Sequence, residues 1–375
     1  MRISRRPGPE PVILLAPTAF KATLSVSRVL AAMTAGARTA CPHAQLHELP
    51  LSDGGPGLIE ALQLGLGGRS EVVAVRDPLG RPATGRILEL EISGQRVAVV
   101  ESADACGLHL LTDAERDPLR ASSAGVGDLL LAASALADTV VLGLGGSGTM
   151  DGGAGMASAL GWRLLDEESA PIPPGAAGLA RLARMVPPST GLRARVVALA
   201  DVANPLLGPR GAASVFGPQK GATPENIPIL EAALGRLAGV IASDLSTDVE
   251  RLTGGGAAGG LGAAAVAFLN ADLPEGSDWV LRAVGFDPEL ASADLVITGE
   301  GSWDEQSTMG KITGEVVERA RRAGVPVLLV AGRVTGEVPR HVTAAAAPAG
   351  AILDADDVRR MVAREVARMA PSLGC

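Results

Sequence analysis

Short apolar runs alternate along the chain with longer stretches whose apolar residues recur at helical spacing. The run at 12–16, VILLA, is apolar throughout and stops at Pro17, as expected of a parallel strand buried on both faces. Ser25 can cap a helix reaching about residue 40, 45–49 reads as a second strand, and 58–64 as a second helix. This βαβα order predicts a doubly wound sheet. From residue 71 the pattern changes: EVVAVRD, TGRILELEI and QRVAVVES read as strands joined by short turns, hence antiparallel. Helical spacing returns at 122–136, followed by a strand at 139–144. Residues 171–188 are rich in Pro and Gly and read as a surface excursion, with a strand at 195–200 after them. A helix capped by Thr223 follows at about 224–242, then a small-residue helix at 263–269. A strand at 294–298, a helix to about 323 and a strand at 325–330 restore the βαβ order. The fold class expected is α/β: a doubly wound parallel-sheet, Rossmann-like domain of residues 1–70 plus 290–375, with a second mixed α/β domain, 71–289, inserted in it.

Composition narrows the classes. Of 375 residues 47% are hydrophobic, but only 2% are aromatic and none is Tyr, so the core must close through small side chains. A net charge of −8, the lack of a Lys/Arg cluster and the shortage of stacking aromatics argue against nucleic-acid binding. The start, MRISRRPGPEPVILLAP, places Arg before an apolar run as an export signal does, but Pro17 breaks the run. It reads instead as a lead-in and a first strand. No stretch is clean and long enough to span a membrane. Cys41, Cys106 and Cys375 show no CxxC spacing and read as three scattered thiols suited to a reducing compartment. A cytoplasmic location is expected.

The richest stretch chemically is 140–155, VVLGLGGSGTMDGGAG, a strand, a bare backbone loop and a helix start. Glycines let amide groups turn toward a ligand, and a helix N-terminus favours an anion. The spacing matches neither a dinucleotide fingerprint nor a phosphate-binding loop ending in GKS or GKT. Asp53, Asp151, Asp201 and Asp304 all lie beside Gly or at expected strand ends. Each alone reads most simply as a turn or helix cap. Together with Lys21, Lys220, Lys311 and the glycine loops they make an inventory for phosphoryl transfer, which needs acids for Mg²⁺ and amides and lysines for phosphates. Lys220 and Lys311 sit between Gly-rich turns, where a flexible point charge can reach a phosphate. Glu300, in ITGEG, reads equally as a metal or substrate ligand or as a brace for the turn. The four His residues have no metal-like spacing, and no GxSxG elbow occurs.

Taken as a set, the motifs resemble those of the bacterial glycerate kinases of two-domain α/β type. The segments are AP-x-x-FK at 16–21, DGG at 53–55, RDPLRASSAGVGDL at 116–129, LGLGGSGTMDGGAGM at 142–156, ADVANPLLG at 200–208, FGPQKGA at 216–222, GAAGGLGAA at 256–264, and LVITGEG at 295–301 with GK at 310–311. The resemblance implies transfer of the γ-phosphoryl group of ATP, with Mg²⁺, to a hydroxyl of D-glycerate, in a cleft between the two domains. It places Asp201, Asp53, Lys21 and Asp304 in catalysis, with Asp201 and Asp304 on the metal. Gly145, Gly146, Ser147, Thr149, Asp151, Gly152, Lys220, Gly299, Glu300 and Lys311 are the candidates for binding substrate and phosphate. A homodimer is compatible with it. The chain departs from the family pattern at Thr18-Ala19, where Asp-Ser is usual, at Pro56-Gly57-Leu58 for Glu-Gly-Thr, at Met150 for Asn, at Ser302 for Arg and at Thr313 for Pro. Were those positions to touch substrate, a different small hydroxy acid, or a non-catalytic relative that binds a carboxylate or nucleotide, would be the alternative.

Overall fold

The first apolar run becomes β1 (Val12–Pro17), buried from Ile13 onward, in a computed structural model that describes residues 10–20, 23–308, 311–348 and 351–375. Residues 1–9, read above as a lead-in, and Lys21 and Gly310 lie outside the described residues. Ser25 caps α1 (Val26–Ala40), its hydroxyl accepting from the Arg28 amide. β2 (Gln45–Glu48) and α2 (Leu58–Leu66) follow. The chain divides into two units, one of Met1–Asp53, Glu60–Gly67 and Ser277–Cys375, the other of Gly54–Ile59 and Gly68–Gly276.

In the second unit β3 (Arg69–Arg76), β4 (Pro82–Ile92) and β5 (Gln95–Glu101) pair antiparallel, as their alternation predicts. After α3 (Ser102–Cys106) and α4 (Ala124–Ser134) the mode changes, and β6 (Thr139–Gly143) lies parallel to β5. α5 (Ala154–Ala159) leads to the antiparallel pair β7 (Arg163–Leu165) and β8 (Arg184–Val186), with α6 (Ala176–Leu179) between them. β9 (Arg195–Leu199) then joins β6 in parallel, giving the mixed order β3-β4-β5-β6-β9. The stretch 171–188 is therefore not a surface excursion: Ala176, Leu179, Leu182 and Met185 are core residues. Small side chains let α6 dock on the long helix that follows.

α7 (Ala212–Phe216), α8 (Asn226–Leu245) and α9 (Ala257–Leu269) complete the unit. α8 starts after Glu225, without a side-chain cap, rather than at Thr223. By length and composition it could cross a membrane, yet Leu230, Leu234, Leu237 and Ile241 put one of its sides into the core.

The first unit resumes at Ser277, where the sequence pattern places the return at 290, because two short helices, α10 (Gly276–Ala283) and α11 (Phe286–Ser292), precede its next strand. β10 (Leu295–Trp303), α12 (Ile312–Ala323), β11 (Val327–Val334), β12 (Val342–Ala346) and α13 (Ala355–Leu373) follow. The sheet is wholly parallel with order β12-β11-β10-β1-β2. The chain runs outward in opposite directions from β1 and from β10, so the order reverses between them, the place where such sheets bind ligands. Alternate strand residues Ile13, Leu15, Leu295, Ile297, Leu328 and Val330 share a core with α1 and α13. The packing of those helices brings their ends together, and Cys41 is bonded to Cys375, with Cα atoms 5.2 Å apart. The three cysteines are thus not all thiols; Cys106 alone is free, and it is buried.

Candidate active site

In the first unit the groups gather at the carboxyl ends of the central strands. Just past β1, Thr18 donates its amide (3.1 Å) and its hydroxyl (3.0 Å) to the Gly299 carbonyl. Gly299 and Glu300 do not form a loop beyond a strand, as the glycines of ITGEG imply. They lie inside β10, paired with Val330 and Ala331. A side chain on Gly299 would run into the Val330 carbonyl, so this glycine serves strand closure.

Glu300 projects from that strand and is only 9% exposed. Its Oε1 is buried without a hydrogen-bond partner. Burial pushes its carboxyl up to about 7; Ser307 and Lys311 pull it down, while Asp53 and Asp304 push it up. Asp53 accepts the Ile312 amide at 3.3 Å, the first amide of α12. Lys311 occupies the N-cap of the same helix, with Nζ 3.9 Å from Asp304 Oδ1. Asp53, Glu300, Asp304 and Lys311 thus meet around one helix N-terminus, where amides and the helix dipole favour anions.

In the second unit β5, β6 and β9 run parallel and end together. Glu101 closes β5, is buried, and accepts the amides of Gly57 (3.1 Å) and Ile59 (2.9 Å). Burial raises its pKa. The sequence offers only one signal for it, an acid at the end of an apolar strand. Gly54, at φ +91°, lies so close to β9 that a Cβ would stand 2.9 Å from Leu199 Cβ. Past β6, Gly145 is half-buried and Gly146 exposed, and a Cβ on Gly146 would come within 2.8 Å of Pro56 Cγ. Past β9, exposed Asp201 points an oxygen to within 4.0 Å of where a Cβ on Gly55 would stand. Gly55 to Gly57, Gly145, Gly146 and Asp201 form a ledge on these strand ends.

The rest of the glycine-rich motif faces inward. Asp151 is fully buried; it accepts from the amide and hydroxyl of Ser123 and from the amides of Gly153 and Gly155. It is an internal cap rather than an anion ligand, and burial raises its pKa. Ser147, Thr149 and Gly152 are buried too. Lys220, expected to reach a phosphate, is 2% exposed. Its ammonium donates to Ser147 Oγ at 2.8 Å and to the Thr149 carbonyl at 2.9 Å.

The cause is an interlock of three glycine-rich motifs. Ala258, Gly259 and Gly260 all take left-handed conformations, with φ of 51°, 74° and 97°, and kink the start of α9. The kink lets the Gly259 carbonyl accept the Gly152 amide, and a Cβ on Gly259 would strike the Thr149 carbonyl. Met150, where the family usually has Asn, lies in the core of the unit and faces no substrate. Thr313 is buried at 2% exposure, and Ser302 lies in β10. Among the described residues no three His, Cys, Asp or Glu side chains are grouped to hold a metal ion. Asp201 and Asp304, expected to share one, belong to different units.

Against this geometry stand the known proteins that the chain resembles. The model of the glycerate kinase family matches residues 13–371. A glycerate kinase from Halalkalibacterium halodurans is 42% identical over 325 residues, 85% of each chain. A glycerate 2-kinase from Escherichia coli K12 is 40% identical over 333 residues, 87% of this chain and 86% of that one. A solved Salmonella typhimurium LT2 chain assigned as glycerate kinase 2 aligns with a TM-score of 0.85 at 39% identity, over 97% of this chain and 99% of that one. Agreement of this extent takes in the split parallel-sheet unit and the unit inserted in it alike, and on that ground the chain belongs to the glycerate kinase family.

Proposed function

We propose that the protein transfers the γ-phosphoryl group of ATP to a hydroxyl of D-glycerate, giving a phosphoglycerate and ADP. In a chain of this family, the observation that carries the reading is the group of Asp53, Glu300, Asp304 and Lys311 at the N-terminus of α12. The glycerate hydroxyl attacks the γ-phosphorus as the bond to the ADP oxygen breaks, and the hydroxyl proton must leave. Glu300, with a carboxyl near neutrality and an unpartnered oxygen, suits the acceptor of that proton. Lys311 and the α12 amides suit anionic oxygens. On the second unit, the glycine ledge with Asp201 beside it suits a phosphate or carboxylate bound on its backbone.

Mg²⁺ is usually held by one or two carboxylates with phosphate oxygens completing its shell, and Asp53 and Asp304, whose charges both act on Glu300 alongside that of Lys311, suit that smaller share of the donors. Asp304 and Asp53 would hold the ion, which when bound would neutralise charge on the transferring phosphate. The decisive assay couples ADP release to D-glycerate. Turnover that requires both ATP and D-glycerate is expected. Folded protein that turns over no small hydroxy acid would sink the proposal, and calorimetric binding of ATP or glycerate without turnover would establish the binder instead.

A further inference from the structure

We propose that Lys220 is a positioning residue, which holds the Gly145–Gly146 ledge in the shape that receives an anionic group of the substrates. This rests on the reading of the ledge given above. The hydrogen bonds of the Lys220 ammonium go to neutral groups, the Ser147 hydroxyl and the Thr149 carbonyl. Asp151 acts on it only through space, since the Asp151 oxygens are engaged by Ser123, Gly153 and Gly155. The free thiol of Cys106 is the other titrating group acting on it. A buried ammonium resting on neutral acceptors weakens a fold relative to an apolar side chain of similar volume. Its retention therefore calls for a task other than packing.

Geometry supplies one. Ser147 follows directly on the two solvent-reaching glycines, which have no side chains to hold themselves, and Thr149 stands two residues further on. On one side the loop is tied to the end of α3 and the residues after it, by Leu108 donating to the Gly146 carbonyl at 2.8 Å and Gly148 donating to the Cys106 carbonyl at 2.7 Å. Lys220 ties it on the other side, and its charge stands behind the backbone that would face an anion. Desolvation lowers the Lys220 pKa to about 8, so at neutral pH that charge is present.

The test uses the full-length enzyme with Lys220→Met, Ser147→Ala and the double variant, followed by thermal melting and by kinetics varied in ATP and in D-glycerate. Lys220→Met is expected to melt at or above the wild-type temperature. It should raise KM for one substrate, the one whose anion lies on the ledge, about tenfold, consistent with loss of charge-assisted hydrogen bonds. Ser147→Ala should raise the same KM, about threefold, and add little to Lys220→Met, because both cut one link. A purely structural lysine would lower melting temperature and kcat with both KM values unchanged. That result in Lys220→Met, or in Ser147→Ala if the lysine variant does not fold, overturns the proposal. Gly146→Val separates the two layers of the argument. If it leaves both KM values unchanged, the ledge reading fails and the proposal with it; if it raises one while Lys220→Met does not, only the role of Lys220 fails.

Discussion

Glu300 is an acid whose surroundings work against its charge, and that has consequences for stability and rate alike. Its carboxyl stands at about 7 against an ordinary 4.5. Between those values the folded protein keeps a proton that the unfolded chain has lost. The contribution to stability is therefore complete below pH 4.5 and lost as pH rises through 7. Glu300→Gln removes the titration: urea midpoints should show the variant more stable than wild type at pH 8, with a smaller difference at pH 4.5. Its kcat should fall on the order of a hundredfold if the carboxylate takes the hydroxyl proton. Turnover by Glu300→Gln at the wild-type rate at pH 8 would take Glu300 out of the chemistry. At this scale the sequence shows which residues cluster at turns but not which way they face. Asp151 and Asp201 sit in similar settings, Asp beside small residues after an apolar strand. One is enclosed by Ser123, 28 residues away in sequence, and the other is exposed. Nothing local to either residue carries that difference.

Elements were legible wherever apolar periodicity was unbroken, as in β1, β6, β9 and α1. They were obscured where glycine serves close approach within an element rather than a turn. ITGEGSW reads as a strand end and a loop, yet β10 continues through it because bare backbone fits beside β11. GGGAAGGLG reads as a loop opening a helix, yet α9 begins within it and kinks through three left-handed residues. Two substitutions of the same kind separate these uses of glycine. Gly260→Ala, at φ +97° and with a Cβ 2.7 Å from Gly152 Cα, should destabilise by about 2–4 kcal/mol from backbone strain and overpacking. Gly239→Ala, exposed in the middle of α8 with nothing near its Cβ, should stabilise by about 0.5–1 kcal/mol. Equal effects in denaturant unfolding would refute the interlock of the three motifs.

For the whole molecule, the change from helical spacing to alternation near residue 70 marks the entry to the second sheet, since β3 starts at Arg69. The way back is blurred, because α10 and α11 intervene before any strand signals it. The cysteine pairing was beyond reach: it depends on α1 and α13 packing side by side across 334 residues of sequence, which no spacing reveals. Removing the bond by Cys375→Ser should lower the stability of the first unit by about 2–4 kcal/mol, the usual range for a disulfide. Calorimetry with and without reductant checks this: the transition of the first unit should move down while that of the second stays. An unmoved first transition would mean that helix packing alone fastens the chain end.

The place of β1 in its sheet also bears on how the protein is made. Its neighbour β2 emerges soon after it, but its other neighbour comes far later: the Ala16 carbonyl waits for the Thr298 hydroxyl, 282 residues on. At about 5–20 residues per second a ribosome takes roughly 15–60 s to cover that distance. Through that interval one backbone edge of β1 has no partner, while the stretch of the second unit continuous from Gly68 to Gly276 is being synthesised. The central strand thus stays half paired until β10 is made, and a pause in translating the stretch between β2 and β10 lengthens the time that edge is open to other chains.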